Sequence, residues 1–362
     1  MNLSAIFKKF PHTAHNLSNA GKLGIISAGF QKGQPKLGVD QGPKIVKEQG
    51  LIQKMTDLGY QVTDYPELKF DTVENDTPDG NVKFPETTAN ANLQIAEAVY
   101  NSLKKDKNDK TIVIGGDHSI AIGSIYGHSK FVQEKYQEEE NDNYPINNFC
   151  CLWVDAHADI NTANSSYSGN IHGQCLSYLL KSPILKNYVR EVRGFDKWLK
   201  QRSLLPERLA YIGLRDIDEQ ETKLLEELGI TYSSMYEVEK YGINFCIEKA
   251  LDKINPTGKR NTHVSFDIDA LDPAVAPSTG TPVFGGLSLS QAMFIGERVN
   301  DIGVNVTCMD IVEVNPELSD FHPEVDPKVT ARSANLVVES FMGRDRGGQY
   351  RPGARVPLKE DV

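Results

Sequence analysis

The run Phe149-Cys-Cys-Leu-Trp-Val154 is apolar at six successive positions and meets Asp155 directly afterwards. A strand with one wet face alternates polar and apolar residues. A run without alternation fits a strand covered on both faces, the condition of parallel sheets flanked by helices. Further strand-like segments are Leu23–Ser27, Thr111–Ile114, Leu209–Ile212, His263–Ile268 and Val306–Val312. Between them, helical spacing marks Thr88–Leu103, Ile120–Tyr136, Gln174–Leu180, Glu219–Glu227, Tyr241–Ile254 and Ser288–Asn300. Strand and helix in turn is the rhythm of βαβ units, so the expected fold class is α/β around a mainly parallel sheet.

No Gly/Ser-rich or Pro-rich linker divides the 362 residues, so a single domain over 23–341 is expected after an N-terminal extension, 1–22. The tail over 342–362, rich in Gly, Arg and Pro, cannot build a core and is either disordered or laid against a neighbouring subunit. Gln133–Asn148, with its Gln-Glu-Glu-Glu-Asn-Asp string, reads as a solvated surface insertion. A net charge of −10 argues against a nucleic-acid partner and weakly favours a cationic substrate. Five cysteines, an odd number in no CxxC pattern, point to a reducing compartment. The first 39 residues lack Asp and Glu but also lack Arg, so the cytoplasm is favoured over an organelle transit peptide. No stretch approaches the ~18 apolar residues of a membrane span.

The chemically loaded strings all follow the carboxyl ends of expected strands. Gly115-Gly-Asp-His118-Ser follows one, Asp155-Ala-His157-Ala-Asp159 a second, Arg215-Asp-Ile-Asp218 a third; Asp267-Ile-Asp269 and Glu313 close two more. Open α/β sheets place ligands at that edge. Side chains at alternate positions of an extended segment point one way, so the acids and histidines of the second and fourth strings should converge. Each fragment alone could be capping or turn chemistry. Together, His118, Asp155, His157, Asp159, Asp267 and Asp269 exceed what capping needs. Four carboxylates crowded in a desolvated cleft require cations. A thiolate-free oxygen and imidazole set suits a hard or borderline ion such as Mn²⁺, and four negative charges imply two divalent ions. Such a pair lowers the pKa of a shared water from ~15.7 toward neutrality.

Gly-Gly-Asp-His118-Ser, Asp155-Ala-His-Ala-Asp-Ile-Asn161 and Ser265-Phe-Asp-Ile-Asp-Ala-Leu-Asp-Pro273 together resemble the three ureohydrolase signatures. The resemblance runs from about Gly24 to about Ser340. Asn161-Thr, Ser168-Gly-Asn-Ile-His172-Gly and Gly213-Leu-Arg-Asp-Ile-Asp218 narrow it to the arginases, which hydrolyse arginine to ornithine and urea. It implies a three-layer α/β/α fold with a doubly wound sheet, shared with metal-dependent deacetylases, two Mn²⁺ per subunit and a homotrimer.

Carried onto this chain, one metal would take His118, Asp155, Asp159 and Asp267, the other Asp155, His157, Asp267 and Asp269. His172 resembles the proton shuttle, and Glu313 the partner of the guanidinium. Asp159 would relay a proton to the leaving amine. Asn161 and Ser168 are short donors suited to the α-carboxylate that arginine has and agmatine lacks. Asp218 and Glu221 would receive the α-ammonium, and Thr281 would lie near the urea-forming end. The stretch Ala163-Asn-Ser-Ser-Tyr167 departs from the Thr-rich run common in arginases, so Ser166 is not assigned as a contact. Agmatinase or another guanidino hydrolase is the alternative.

Overall fold

A computed structural model describes residues 20–140, 144–318, 326 and 328–346. Its strands are β1 (Gly21–Ala28), β2 (Tyr60–Asp64), β3 (Lys110–Gly115), β4 (Phe149–Val154), β5 (Leu209–Leu214), β6 (Thr231–Ser234), β7 (Asn261–Asp267) and β8 (Val306–Val312). They form one sheet in the order β2-β1-β3-β8-β7-β4-β5-β6. Every pairing is parallel. The helices are α1 (Gly42–Glu48), α2 (Leu51–Asp57), α3 (Pro85–Lys104), α4 (Ala121–Glu140), α5 (Cys175–Leu179), α6 (Phe195–Trp198), α7 (Glu219–Leu228), α8 (Met235–Tyr241), α9 (Ile243–Ile254), α10 (Leu289–Ile302) and α11 (Lys328–Phe341).

Strand alternation divides the core into two sides. Cys150, Leu152, Val154, Val264, Phe266 and Met309 pack with Val46, Cys246, Ala292 and Val337 of α1, α9, α10 and α11. On the other side, Phe149, Cys151 and Trp153 pack with Ala89, Ile122, Leu176 and Leu224 of α3, α4, α5 and α7. The unalternating run of β4 is buried at every position because both faces are covered.

Two strands escaped the sequence reading, β2 and β6, and both lie at the sheet edges. The burial of β2 fades along its length, so Tyr60-Gln-Val-Thr-Asp64 carries no apolar run to read. Three further expectations need correction. The helix expected over 241–254 begins at Ile243, because Gly242, with a φ of 81° that other residues rarely adopt, separates it from α8, which ends at Tyr241. The acidic insertion is not a loop from its start, since α4 continues to Glu140; residues 141–143 lie outside the described set. The tail is ordered at its beginning. Met342 is buried, and the Arg346 guanidinium pairs with Glu297.

The order β3-β8-β7-β4 places four strand ends side by side at mid-sheet. Val154 pairs with Phe266 and Asp267 with Val312, so the Asp155, Asp267 and Glu313 strings leave the sheet at nearly one level.

Candidate metal centre and substrate pocket

β3 ends at Gly115 and delivers His118 on a short 3₁₀ turn capped by Asp117, whose carboxylate accepts the Ser119 amide. The His118 ring is fully buried and stacks on Trp153, with centroids 4.1 Å apart. Its Nε2 lies 2.9 Å from the Ser265 hydroxyl, which fixes the ring and leaves Nδ1 facing inward. Nδ1 is 3.1 Å from Asp155, 3.2 Å from Asp159 and 3.0 Å from Asp267. It is buried yet makes no hydrogen bond. An imidazole nitrogen held by its opposite nitrogen and surrounded by three carboxylate oxygens is the arrangement a divalent ion needs.

His157 sits at the second position. Its Nδ1 is 3.5 Å from Asp155 and 3.3 Å from Asp269, and its Nε2 faces Asp216 at 3.5 Å. Donor atoms of His118, Asp155 and Asp159 form one cluster, those of Asp155, His157 and Asp269 another, with Asp155 common to both. The remaining contacts hold the acids in place. Trp153 Nε1 donates to Asp155 Oδ2 (2.8 Å) and the His157 amide to Asp155 Oδ1 (2.7 Å). The Asp269 amide donates to Asp267 (2.8 Å), and the Thr281 hydroxyl to Asp269 Oδ2 (2.9 Å). The Tyr211 hydroxyl props the ligand loop from below by donating to the Ala158 carbonyl at 2.9 Å.

Electrostatics give the same account. Burial, then the charges of Asp269 and Asp155, drives the Asp267 carboxyl well above its ordinary value; burial and Asp155 push Asp159 up. Burial pulls the His118 imidazole down, but its three carboxylates more than reverse this and hold it well above its usual value. Negative charge is packed more densely here than the protein's own cations balance, so the donor set fits a pair of divalent ions.

His128, His263 and Cys308 also bring three donor atoms together. There the ring nitrogens already have partners. Thr307 Oγ lies 2.6 Å from His128 Nε2, the two Nδ1 atoms are 3.2 Å apart, and His263 Nε2 is 2.8 Å from Asp310. One tautomer for each ring satisfies all three contacts, so no ring nitrogen faces an ion.

Glu313 follows β8, and its Oε1 accepts the His118 amide at 2.8 Å and lies 3.3 Å from His172 Nδ1. Burial lowers the His172 pKa while Glu313 raises it, and the net shift is upward. Asp218 caps α7 in a capping box with Glu221. Its other oxygen accepts from Asn161 Nδ2 at 2.7 Å, and Asn161 Oδ1 accepts from Ser165. Burial, then Asp159, pushes the Glu221 carboxyl up to about 8. Ser168 is exposed on the same loop, with its hydroxyl accepting the Asn170 amide. Ser166 is buried and holds the loop shut through the Gly169 amide.

The convergence expected from alternate spacing arises by a different route. β4 ends at Val154, and Asp159 has a φ of 47°, so Asp155 to Asp159 is a bent loop, not extended strand. Three contributors went unread: Trp153 and Ser265 orient Asp155 and His118, and Asp117 links loops. Thr281, expected near the urea-forming end, braces Asp269. Ser265 and Asp117 sit inside the quoted motifs, yet a hydroxyl or acid beside ligands carries no mark of its partner.

A family model described as the Arginase family matches residues 21–343. Arginase-1 of Oryctolagus cuniculus is 41% identical over 335 residues, 92% of this chain and 97% of that protein. Arginase-2, mitochondrial, of Mus musculus is 39% identical over 327 residues, 90% of this chain and 86% of that protein. Among solved structures, the arginase of Bacillus caldovelox superposes with a TM-score of 0.75 at 30% identity, covering 90% of this chain and 99% of its own. That of Entamoeba histolytica, in complex with L-ornithine, gives 0.74 at 25% identity, covering 90% of this chain and 100% of its own. With the site at the carboxyl edge of an all-parallel sheet, the chain belongs to the arginase family, metal-dependent ureohydrolases that act on a guanidino group.

Proposed function

We propose that this chain carries out its arginase reaction, L-arginine to L-ornithine and urea, at two Mn²⁺ ions held by the six acids and histidines at the sheet rim. The observation that carries the reading is the pair of donor clusters sharing Asp155. His118, Asp155, Asp159 and Asp267 would hold one ion; Asp155, His157, Asp267 and Asp269 the other. When bound, such a pair supplies hydroxide at neutral pH.

The chain's own residues do the rest. Glu313, fixed by the His118 amide, receives the guanidinium and sets its carbon over the ligand cluster. Asp159, whose carboxyl is held above the usual range, takes a proton and passes it to the leaving nitrogen as the C–N bond breaks. His172 Nδ1 exchanges protons between this point and solvent. Asn161, Ser168, Asp218 and Glu221 face the amino-acid end of the substrate, where a carboxylate and an ammonium separate arginine from agmatine. Thr281 acts through Asp269 at the urea-forming end.

We place the enzyme in the cytoplasm as a homotrimer; its described cysteines are all free and buried, as suits a reducing compartment. The test is urea release by metal-stripped protein reconstituted with Mn²⁺, with arginine and agmatine in parallel. Activity on arginine that returns with two ions per chain is expected. Preference for agmatine, or full activity without added metal, would overturn the reading.

A further inference from the structure

Residues 29–38 run across the sheet rim between β1 and α1 and touch three of the loops that build the site. The Gly33 peptide is gripped from both sides. Its N–H donates to Asp117 Oδ2 at 2.8 Å, and its carbonyl accepts the His172 N–H at 3.0 Å. Asp117 is fully buried, and its other oxygen accepts the Ser119 amide at 2.9 Å. The Asp117 amide in turn donates to the Phe30 carbonyl (2.8 Å). Farther along, Asn315, two residues beyond Glu313, donates to the Leu37 carbonyl at 2.9 Å. Gln34 and Gln31 stiffen the segment internally through Lys36, Gly38 and the Gln31 carbonyl. A side chain at position 33 has no room, since a Cβ would lie 2.4 Å from Ser119 Oγ and 2.5 Å from Asp117 Oδ1.

We propose that Asp117 and the Gly33 peptide form a positioning unit that sets the height of His172 over Glu313. Asp117 touches neither substrate nor the reacting atoms in this arrangement; it acts through the peptide. The chain Asp117 carboxylate, Gly33 peptide, His172 amide links the His118 turn to the N–H side of His172, while the Cys175 thiol, 3.2 Å from the His118 carbonyl and 2.9 Å from the His172 carbonyl, makes the weaker link on the other side of that residue. The inference rests on the proton-transfer role of His172 given above.

Asp117→Asn is the direct probe. Its amide can accept at one end only, so either Gly33 or Ser119 loses its acceptor and meets a donor. The expected result is a kcat lower by about tenfold, with KM within about twofold and manganese content unchanged. The same substitution in a His172→Ala background should cost less than about twofold, because a positioning residue has nothing left to position. His172→Ala with wild-type kcat would remove the proton-transfer role and this inference with it. His172→Ala slow, but with the full loss on adding Asp117→Asn, would overturn positioning alone. Wild-type kcat in Asp117→Asn would do the same. Gly33→Ala, which pushes the peptide off Asp117, goes through the same cycle if Asp117→Asn does not fold.

Discussion

Two acids of the site, Asp159 and Glu313, have φ of 47° and 62°, the left-handed region that costs an ordinary residue about 1–2 kcal/mol. The surrounding hydrogen bonds hold them there, and such strain gathers at functional positions. For Glu313 the gain is a carboxylate aimed inward beside the His118 amide. Glu313→Gln keeps the size and loses the charge partner of a guanidinium. A charge-assisted pair of about 3 kcal/mol corresponds to a fall in kcat/KM of about a hundredfold, with metal content intact. Steady-state urea assays beside metal analysis check this. Glu221 gives a pH-dependent expectation. Its carboxyl, raised to about 8 by burial and Asp159, is largely protonated at neutral pH, whereas a cationic ammonium beside it favours the ionised form. Binding should therefore release a proton, and KM for arginine should fall as pH rises toward about 8, then level off. Glu221→Gln should flatten that limb; an unchanged slope in KM against pH would remove Glu221 from the ammonium site.

At the scale of elements, α7 shows one residue serving two purposes. Asp218 Oδ1 accepts the amides of Gln220 and Glu221, while Oδ2 holds Asn161. Asn caps helices as well as Asp does, so Asp218→Asn should keep the melting temperature and raise KM, because its amide faces the Asn161 amide. Asp218→Ala should do both kinds of damage, losing about 1 kcal/mol of stability with the cap. Thermal denaturation of the two variants separates the roles. The central elements were legible because their apolar runs are covered on both faces: β4 and β8 agree with the sequence to the residue. The edge strands β2 and β6 were not, because an edge has one neighbour and no need of such a run. Gly242 moved the start of α9 to Ile243, two residues past the expected one, since periodicity reports which face is buried and not where a helix begins.

For the whole molecule, the site joins the halves of the fold, with the proposed ligands at or after the ends of β3, β4 and β7 and Glu313 following β8. Ions bound there stabilise only the folded chain, and each held at a thousand times its Kd contributes about 4 kcal/mol. Chelation should lower the melting temperature by roughly 10 °C or more in a chain of this size, with Mn²⁺ restoring it. Differential scanning calorimetry with and without chelator checks this; no change on chelation would show that the acids are not holding metal. The proposed trimer is read by sedimentation.

The candidate donors were legible in the sequence: the six acids and histidines, the parallel sheet and the strand ends from which they come are all local patterns of residue type. Orientation was decided only by tertiary structure. Which way His118 turns depends on Ser265 and Trp153, and the placing of Glu313 depends on the His118 turn. A hydrogen bond between residues more than a hundred positions apart leaves no trace in the spacing of either string.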